Sequence, residues 1–172
     1  MIQLLGGKKK FTEQLDSFFS IKTPNPNKYL GQEAMIGQYA HGNEPSHHIA
    51  YLYAFSDKPE KGRKLITQIS KEFYNNTPTG MIGNDDCGQM SAWYIFSALG
   101  FYPVNPSSGE FVFGMPQVRK AVVNLGKGIQ NLVIENKFLT GVNPRIYLNS
   151  KKIAGSVLQY KLMKNGGRLV VK

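Results

Sequence analysis

Apolar residues recur at helical spacing in several segments of the first hundred residues and then in short runs to the end of the chain. Phe11, Leu15, Phe18 and Phe19 fall on one face of a helix running from about Lys10, and Leu65, Ile66, Ile69 and Phe73 do the same within PEKGRKLITQISKEFY. The stretch Ser46 to Phe55 reads as a further helix with Ser46 as its cap, and Gln89 to Leu99 as another, ended by Gly100. Connections between them carry proline and glycine: TPNPNKYLGQ, HGNEP and NNTPTGMIGN. After Pro106 the pattern shortens to Glu110–Gly114, Lys120–Leu125, Asn131–Ile134, Arg145–Leu148 and Gly166–Val171, each a strand. Helices followed by strands predict an α+β chain, with helices over about 8–100, strands over about 110–172, and a division into 1–105 and 106–172.

Composition supports a folded chain of ordinary size. Apolar residues make up 41% of the 172 positions and aromatics 12%, above what a disordered segment carries. No run approaches the roughly 18 apolar residues of a membrane helix, so no membrane span is expected, and no secretion signal is visible. The single cysteine, Cys87, excludes an internal disulfide and a cysteine-based metal cluster. The net charge of +10 raises nucleic acid as a partner, but its distribution does not. Residues 1–109 carry ten Lys or Arg against nine Asp or Glu, whereas 110–172 carry eleven against two, spread singly or in pairs among the strands. That is the pattern of a solvated basic face, and no zinc-finger, RNP-like or Walker spacing accompanies it.

Two loops at helix starts hold the candidate chemistry. One is YAHGNEPSHH, with Asn43, Glu44 and all three histidines of the chain, His41, His47 and His48; the other is GNDD, with Asn84, Asp85 and Asp86. Structural roles compete with functional ones here. Asp85 and Asp86 suit the capping of a helix, Glu44 suits the favourable end of a helix dipole, and His47 and His48 suit the lining of a helix. Zinc is disfavoured because HEXXH is absent and adjacent histidines point about 100° apart on a helix. Oxygen donors from Asn43 and Glu44 make calcium the first metal to test.

HGNEPSHHIAYLY followed by GNDDCGQMSAWYIFSALGFYPVNP resembles the C-terminal catalytic region of glycoside hydrolase family 92. The likeness runs through nearly the whole chain and is strongest from Gly42 to Pro106. It implies a calcium-dependent, inverting exo-α-mannosidase, often α-1,2, whose helices form part of an (α/α)6 barrel and precede an antiparallel β region. An inverting glycosidase needs one carboxylic acid for the leaving oxygen and one carboxylate to activate water. The resemblance places that base at Asp86, with Asp85 or Asn84 holding the water or orienting the base, and a helix start keeping Asp86 ionised. It makes Glu44 and Asn43 candidate Ca2+ ligands. It also makes His47 or His48 a partner for sugar hydroxyls or a support for Glu44, and mannose-containing glycans the ligand. Trp93 and Tyr94 are expected in the core.

The sequence departs from that family in one respect that matters chemically: it contains no EGNxWQY-like motif, where the family's general acid resides. The family's N-terminal β-sandwich and most barrel helices are also absent, so the chain resembles the C-terminal piece of a mannosidase. This predicts little turnover in isolation, and self-association through an apolar face from Met1 to Leu5 and along the Phe11 and Phe18 helix. The resemblance also points to a periplasmic or secreted parent protein. Two other classes stay open: a carbohydrate- or partner-binding module without turnover, and a structural domain whose polar loops only cap helices.

Overall fold

The computed structural model describes residues 1–22, 35–138 and 144–172; the TPNPNKYLGQ connection lies outside them. Contacts divide the chain into two compact units, Met1–Ile95 and Phe96–Lys172.

The first unit opens with α1 (Lys8–Ser20), which has no side-chain cap and is held by its apolar face: Phe11, Leu15 and Phe19 are buried and Phe18 is half-buried. Of the face expected to lack cover, Phe11 is buried, Ile2, Leu5 and Phe18 are half-buried, and Met1 and Leu4 are exposed. Asp16 on α1 accepts the Tyr53 hydroxyl at 2.8 Å and pairs with Lys61 at 2.6 Å, tying the helix to the segments that follow. A hairpin of β1 (Met35–Ile36) and β2 (Tyr39–Ala40) turns at Gly37. A Cβ on Gly37 would lie 2.3 Å from the Phe19 carbonyl carbon, so only glycine lets this turn rest on the end of α1.

The expected helix from Ser46 to Phe55 takes a tighter form. Glu44–Ser46 is a single 3-10 turn with Pro45 inside it, and Ile49–Phe55 is a second 3-10 segment; neither Ser46 nor His48 makes a side-chain cap. The 3-10 period of three aligns Ala50 with Tyr53, both buried, and α2 (Pro59–Glu72) packs on that ridge. The contact depends on Gly62, where a Cβ would sit 2.7 Å from the Ala50 carbonyl oxygen. Helix α2 starts on Pro59, carries Glu60 in its first turn and Lys71 in its last, and buries Ile66, Ile69 and Phe73. Helix α3 (Gln89–Leu99) runs through the boundary and ends at Gly100 as the sequence predicts.

The second unit contains two sheets. β3 (Phe101–Asn105), β4 (Glu110–Phe113) and β9 (Val157–Gln159) form an antiparallel three-stranded sheet in the order β3-β4-β9. β5 (Lys120–Val123), β6 (Leu132–Asn136), β7 (Ile146–Leu148), β8 (Lys151–Lys152) and β10 (Gly167–Val171) form the other, in the order β5-β6-β10-β7-β8. The expected antiparallel region is corrected on one point: β10 runs parallel to β6, Leu169 opposite Ile134. The long connection between these strands, which includes the short helix α4 (Tyr160–Met163), gives the length that a parallel pairing requires. Strands also begin earlier than expected, at Phe101. Leu132, Ile134, Ile146, Leu148, Leu169 and Val171 alternate inward, while Arg168 and Glu135 pair on the outer face with contacts of 2.8 and 3.0 Å.

Ile134 is fully enclosed at the centre of this core. Ile134→Ala is expected to destabilise the second unit by about 2–5 kcal/mol. Val122→Ala, on an exposed position of the same sheet, is expected to change it by less than about 0.5 kcal/mol. Equal urea midpoints for the two variants would refute this placement of the core.

Candidate active site

Both polar loops lie in the first unit, and the fold brings them together. Glu44 begins the 3-10 turn after β2, and Asp86 lies just ahead of α3. Asp86 and Cys87 have positive φ angles of 46° and 58°, and Gly88 follows at 90°. This left-handed run is costly for side-chain-bearing residues and turns the chain sharply into α3. It brings the Asp86 carboxyl within hydrogen-bonding reach of that of Glu44, so that a proton on either can be shared with the other.

The sharing sets the electrostatics. The hydrogen bond from Glu44 holds Asp86 above the usual carboxylate range, aided by desolvation and by the negative charges of Glu44 and Asp85. The reciprocal hydrogen bond, with one from the Glu44 backbone, holds Glu44 below it. The pair is thus a dyad that titrates jointly. The adjacent Glu44 carboxyl thus opposes the ionisation of Asp86 that a helix start favours, and of the two carboxyls Asp86 is the one held above its ordinary range.

Asp85 has the capping role. Its Oδ1 accepts the Ser91 backbone N–H at 2.9 Å, and its carbonyl accepts from Gly88 and Met90 at 3.1 and 3.2 Å. Such a side-chain cap contributes about 1 kcal/mol to a helix start. The two adjacent acids therefore divide the work: one anchors α3 and the other meets Glu44.

Asn43 and Asn84 are exposed on the same two loops. His48 is half-buried and lines an apolar hollow with Ile2, Phe11, Leu52 and Phe55. His47 is fully buried, and both ring nitrogens are engaged: Nε2–H donates to the His41 carbonyl at 3.0 Å, and Nδ1 accepts from the Gln89 amide at 3.1 Å. Its hydrogen bonds are spent inside the protein, which leaves neither ring nitrogen for a sugar hydroxyl. Burial holds its pKa below the usual histidine value, against opposing contributions from the His41 carbonyl and Glu44. Trp93 is fully enclosed and donates its indole N–H to the His47 carbonyl at 3.1 Å, whereas Tyr94, expected in the core, is exposed because the next position along α3 turns away from it.

Sequence reasoning assigned no role to His41, a lone imidazole between Ala40 and Gly42. It is completely buried, with Nδ1 2.7 Å from the Tyr39 hydroxyl and Nε2 2.7 Å from the Tyr74 hydroxyl. Burial, with the proximity of His47, pushes its pKa down to about 3. Its clustering with the other histidines was the available signal.

Among the described residues no group of three or more His, Cys, Asp and Glu side chains forms a metal nest, and no helix is long and apolar enough to cross a membrane. Glu44, Asp86 and Asn43 are oxygen donors of the kind calcium takes, but they are too few for its six to eight ligands.

Comparison with known proteins gives this geometry its context. The glycosyl hydrolase family 92 catalytic domain model matches residues 1–172. The family GH92 α-mannosidase BT3965 of Bacteroides thetaiotaomicron superposes with a TM-score of 0.84 at 39% identity, over 96% of this chain and 22% of that one. It has also been solved in complex with mannoimidazole. The family GH92 inverting mannosidase BT2199 of the same organism gives 0.76 at 31% identity, over 99% of this chain and 25% of that one. A curated relative, described as an uncharacterized secreted glycosidase of Arthroderma benhamiae, is 28% identical over 98% of this chain and 20% of its own length. The chain thus spans about a fifth of the length of the relatives it matches. With the family model matched along its full length, and two mannosidases of that family sharing its fold at more than 30% identity, the chain belongs to glycosyl hydrolase family 92.

Proposed function

We propose that these residues supply the base side of an inverting exo-α-mannosidase active site, with Asp86 as the base that activates water and Glu44 as the carboxylate that shares its proton and contacts the sugar. The contact between Glu44 and Asp86 carries this reading. Inverting glycosidases separate their acid and base by roughly 6.5 to 9.5 Å to leave room for a water. Two carboxyls that share a proton are too close for that. They form one side of the reaction, and the acid belongs on the other side of the sugar, in line with the lack of an EGNxWQY-like motif in this sequence.

The chain's own groups account for the positioning. Asp85 anchors the start of α3, so Asp86 is presented from a fixed turn. Ionised Asp86 takes a proton from water as the oxygen attacks, and Glu44 tunes when Asp86 is ionised. We propose Glu44 and Asn43 as ligands of a calcium ion whose remaining shell comes from water, substrate and groups beyond these residues. Such an ion would polarise the vicinal hydroxyls of the sugar. In this proposal the helices over about 8–100 form part of an (α/α)6 barrel, the glycan is an α-1,2-linked mannoside, and the parent protein is secreted or periplasmic; the curated relative is described as secreted.

The reading is tested by Asp86→Asn in a complete family 92 mannosidase carrying this segment. Turnover is expected to fall by about 10²- to 10⁴-fold with KM little changed. A wild-type kcat would move the base elsewhere.

A further inference from the structure

Between the two loops lies a buried polar network that the proposed reaction does not use. Its hydrogen-bond directions are fixed by chemistry. The Tyr74 hydroxyl donates to the Met90 carbonyl at 3.1 Å. A hydroxyl has one proton, so in its contact with His41 Nε2 the imidazole must be the donor. Nδ1 of His41 is then unprotonated and accepts the Tyr39 hydroxyl. A single directed chain results: Tyr39 to His41 to Tyr74 to the Met90 carbonyl, from β2 to the first turn of α3.

A second chain runs beside it. The His41 carbonyl accepts from His47, which accepts from Gln89, and the His47 carbonyl accepts from Trp93. The loop from His41 to His47 is therefore fastened to α3 at Gln89, Met90 and Trp93. Glu44 sits in the middle of that loop, and Asp86 sits three residues ahead of Gln89. The rings are also packed: His41 lies 4.4 Å from Trp93 and 4.9 Å from His47, and Tyr74 stacks on Trp93 at 6.0 Å with planes 6° apart. Sliding the loop along α3 would leave buried donors and acceptors unpaired, which makes the register discrete.

We propose that His41 is a positioning residue: through Tyr39, Tyr74 and its own carbonyl it locks the Glu44 loop onto α3 in the one register that brings Glu44 against Asp86. The inference rests on the reading of Glu44 and Asp86 given above. His41 touches neither carboxylate and acts only through the elements it joins. The working imidazole is the neutral Nε2–H form, the tautomer that both neighbouring hydroxyls require.

The test uses a complete family 92 mannosidase carrying this segment, assayed with an aryl α-mannoside. Tyr74→Phe removes the link from His41 to Met90 while keeping the ring on Trp93, and circular dichroism with a thermal melt checks that the variant folds. It is expected to lower kcat by about 10- to 100-fold, the cost of a misplacement on the order of 1 Å, with KM within about twofold of wild type. His41→Ala should lose at least as much. His41→Gln, whose amide keeps a donor towards Tyr74, should recover part of that loss. Wild-type kcat in Tyr74→Phe, or a loss confined to KM, overturns the inference. Asp86→Asn is run in parallel: if it retains turnover, the reading of the site has failed, whereas an inactive Asp86→Asn beside an unimpaired Tyr74→Phe refutes only the role of His41. Independently, nitrogen NMR of the 172-residue chain should show His41 protonated at Nε2 near neutral pH, and protonation at Nδ1 overturns the proposed network.

Discussion

Incubated alone with an activated aryl α-mannoside and calcium, the 172-residue chain should release leaving group no faster than buffer does. The acidic side chains that its structure brings together, Glu44 and Asp86, lie within hydrogen-bonding reach of each other, too close to act as opposed acid and base. General acid catalysis contributes about 10²- to 10⁴-fold, and the sequence contains no EGNxWQY-like motif to supply it. Positioning and electrostatic preorganisation weaken in parallel, because a dyad exposed to water is screened by it. Asp86→Asn should then make no difference to the isolated chain, in contrast to the loss expected of it in a complete family 92 enzyme. Calcium-dependent turnover by the chain alone, abolished by Asp86→Asn, would show that a resident carboxyl serves as the acid and would refute this division of the site.

Acid should unfold the first unit well before it affects the second. Unfolded His41 takes up a proton near its ordinary value of 6.5, whereas folded His41 resists protonation down to about 3 because it is buried. Above pH 6.5 both states are neutral and the residue makes no difference. As pH falls below 6.5 the unfolded state binds the extra proton, so stability declines by up to about 1.4 kcal/mol per pH unit until the folded pKa is reached. The total is on the order of 5 kcal/mol, comparable with the whole stability of a small domain. His47, shifted in the same direction by its burial, adds to the loss. Trp93 is the single tryptophan of the chain and packs directly on His41, so its fluorescence reports this unit. The urea midpoint read by Trp93 should drop steeply between pH 7 and 4, and His41→Gln should flatten the slope. A midpoint independent of pH over that range would be incompatible with a buried neutral imidazole.

Much of the architecture was visible in the sequence because burial and periodicity coincide. Phe11, Leu15 and Phe19 do form the inner face of α1, Gln89–Leu99 is a helix closed by Gly100, and the five apolar runs after Pro106 are all strands. Periodicity failed where a different force decides. In Ile49–Phe55 the period is three because Gly62 brings α2 against the Ala50 and Tyr53 ridge, a tertiary effect that local pattern does not record. β3 contains Pro103, which argues against a strand, and β8 consists of two exposed lysines. The parallel match of β6 with β10 depends on strands far apart in sequence, which alternation alone cannot pair. At the site, both loops were legible as motifs, but the contact between Glu44 and Asp86 and the buried bonds of His41 and His47 arise only when the loops meet.

The left-handed turn ahead of α3 has a practical consequence. It places Cys87, the lone thiol of the chain, exposed and next in sequence to Asp86. A small fluorophore or nitroxide attached there would be a reporter at a single known address beside the acidic pair, with no competing cysteine to remove first. Binding of a sugar beside the pair could then be sought optically or by electron spin resonance in protein that turns nothing over, so that recognition is measured apart from chemistry.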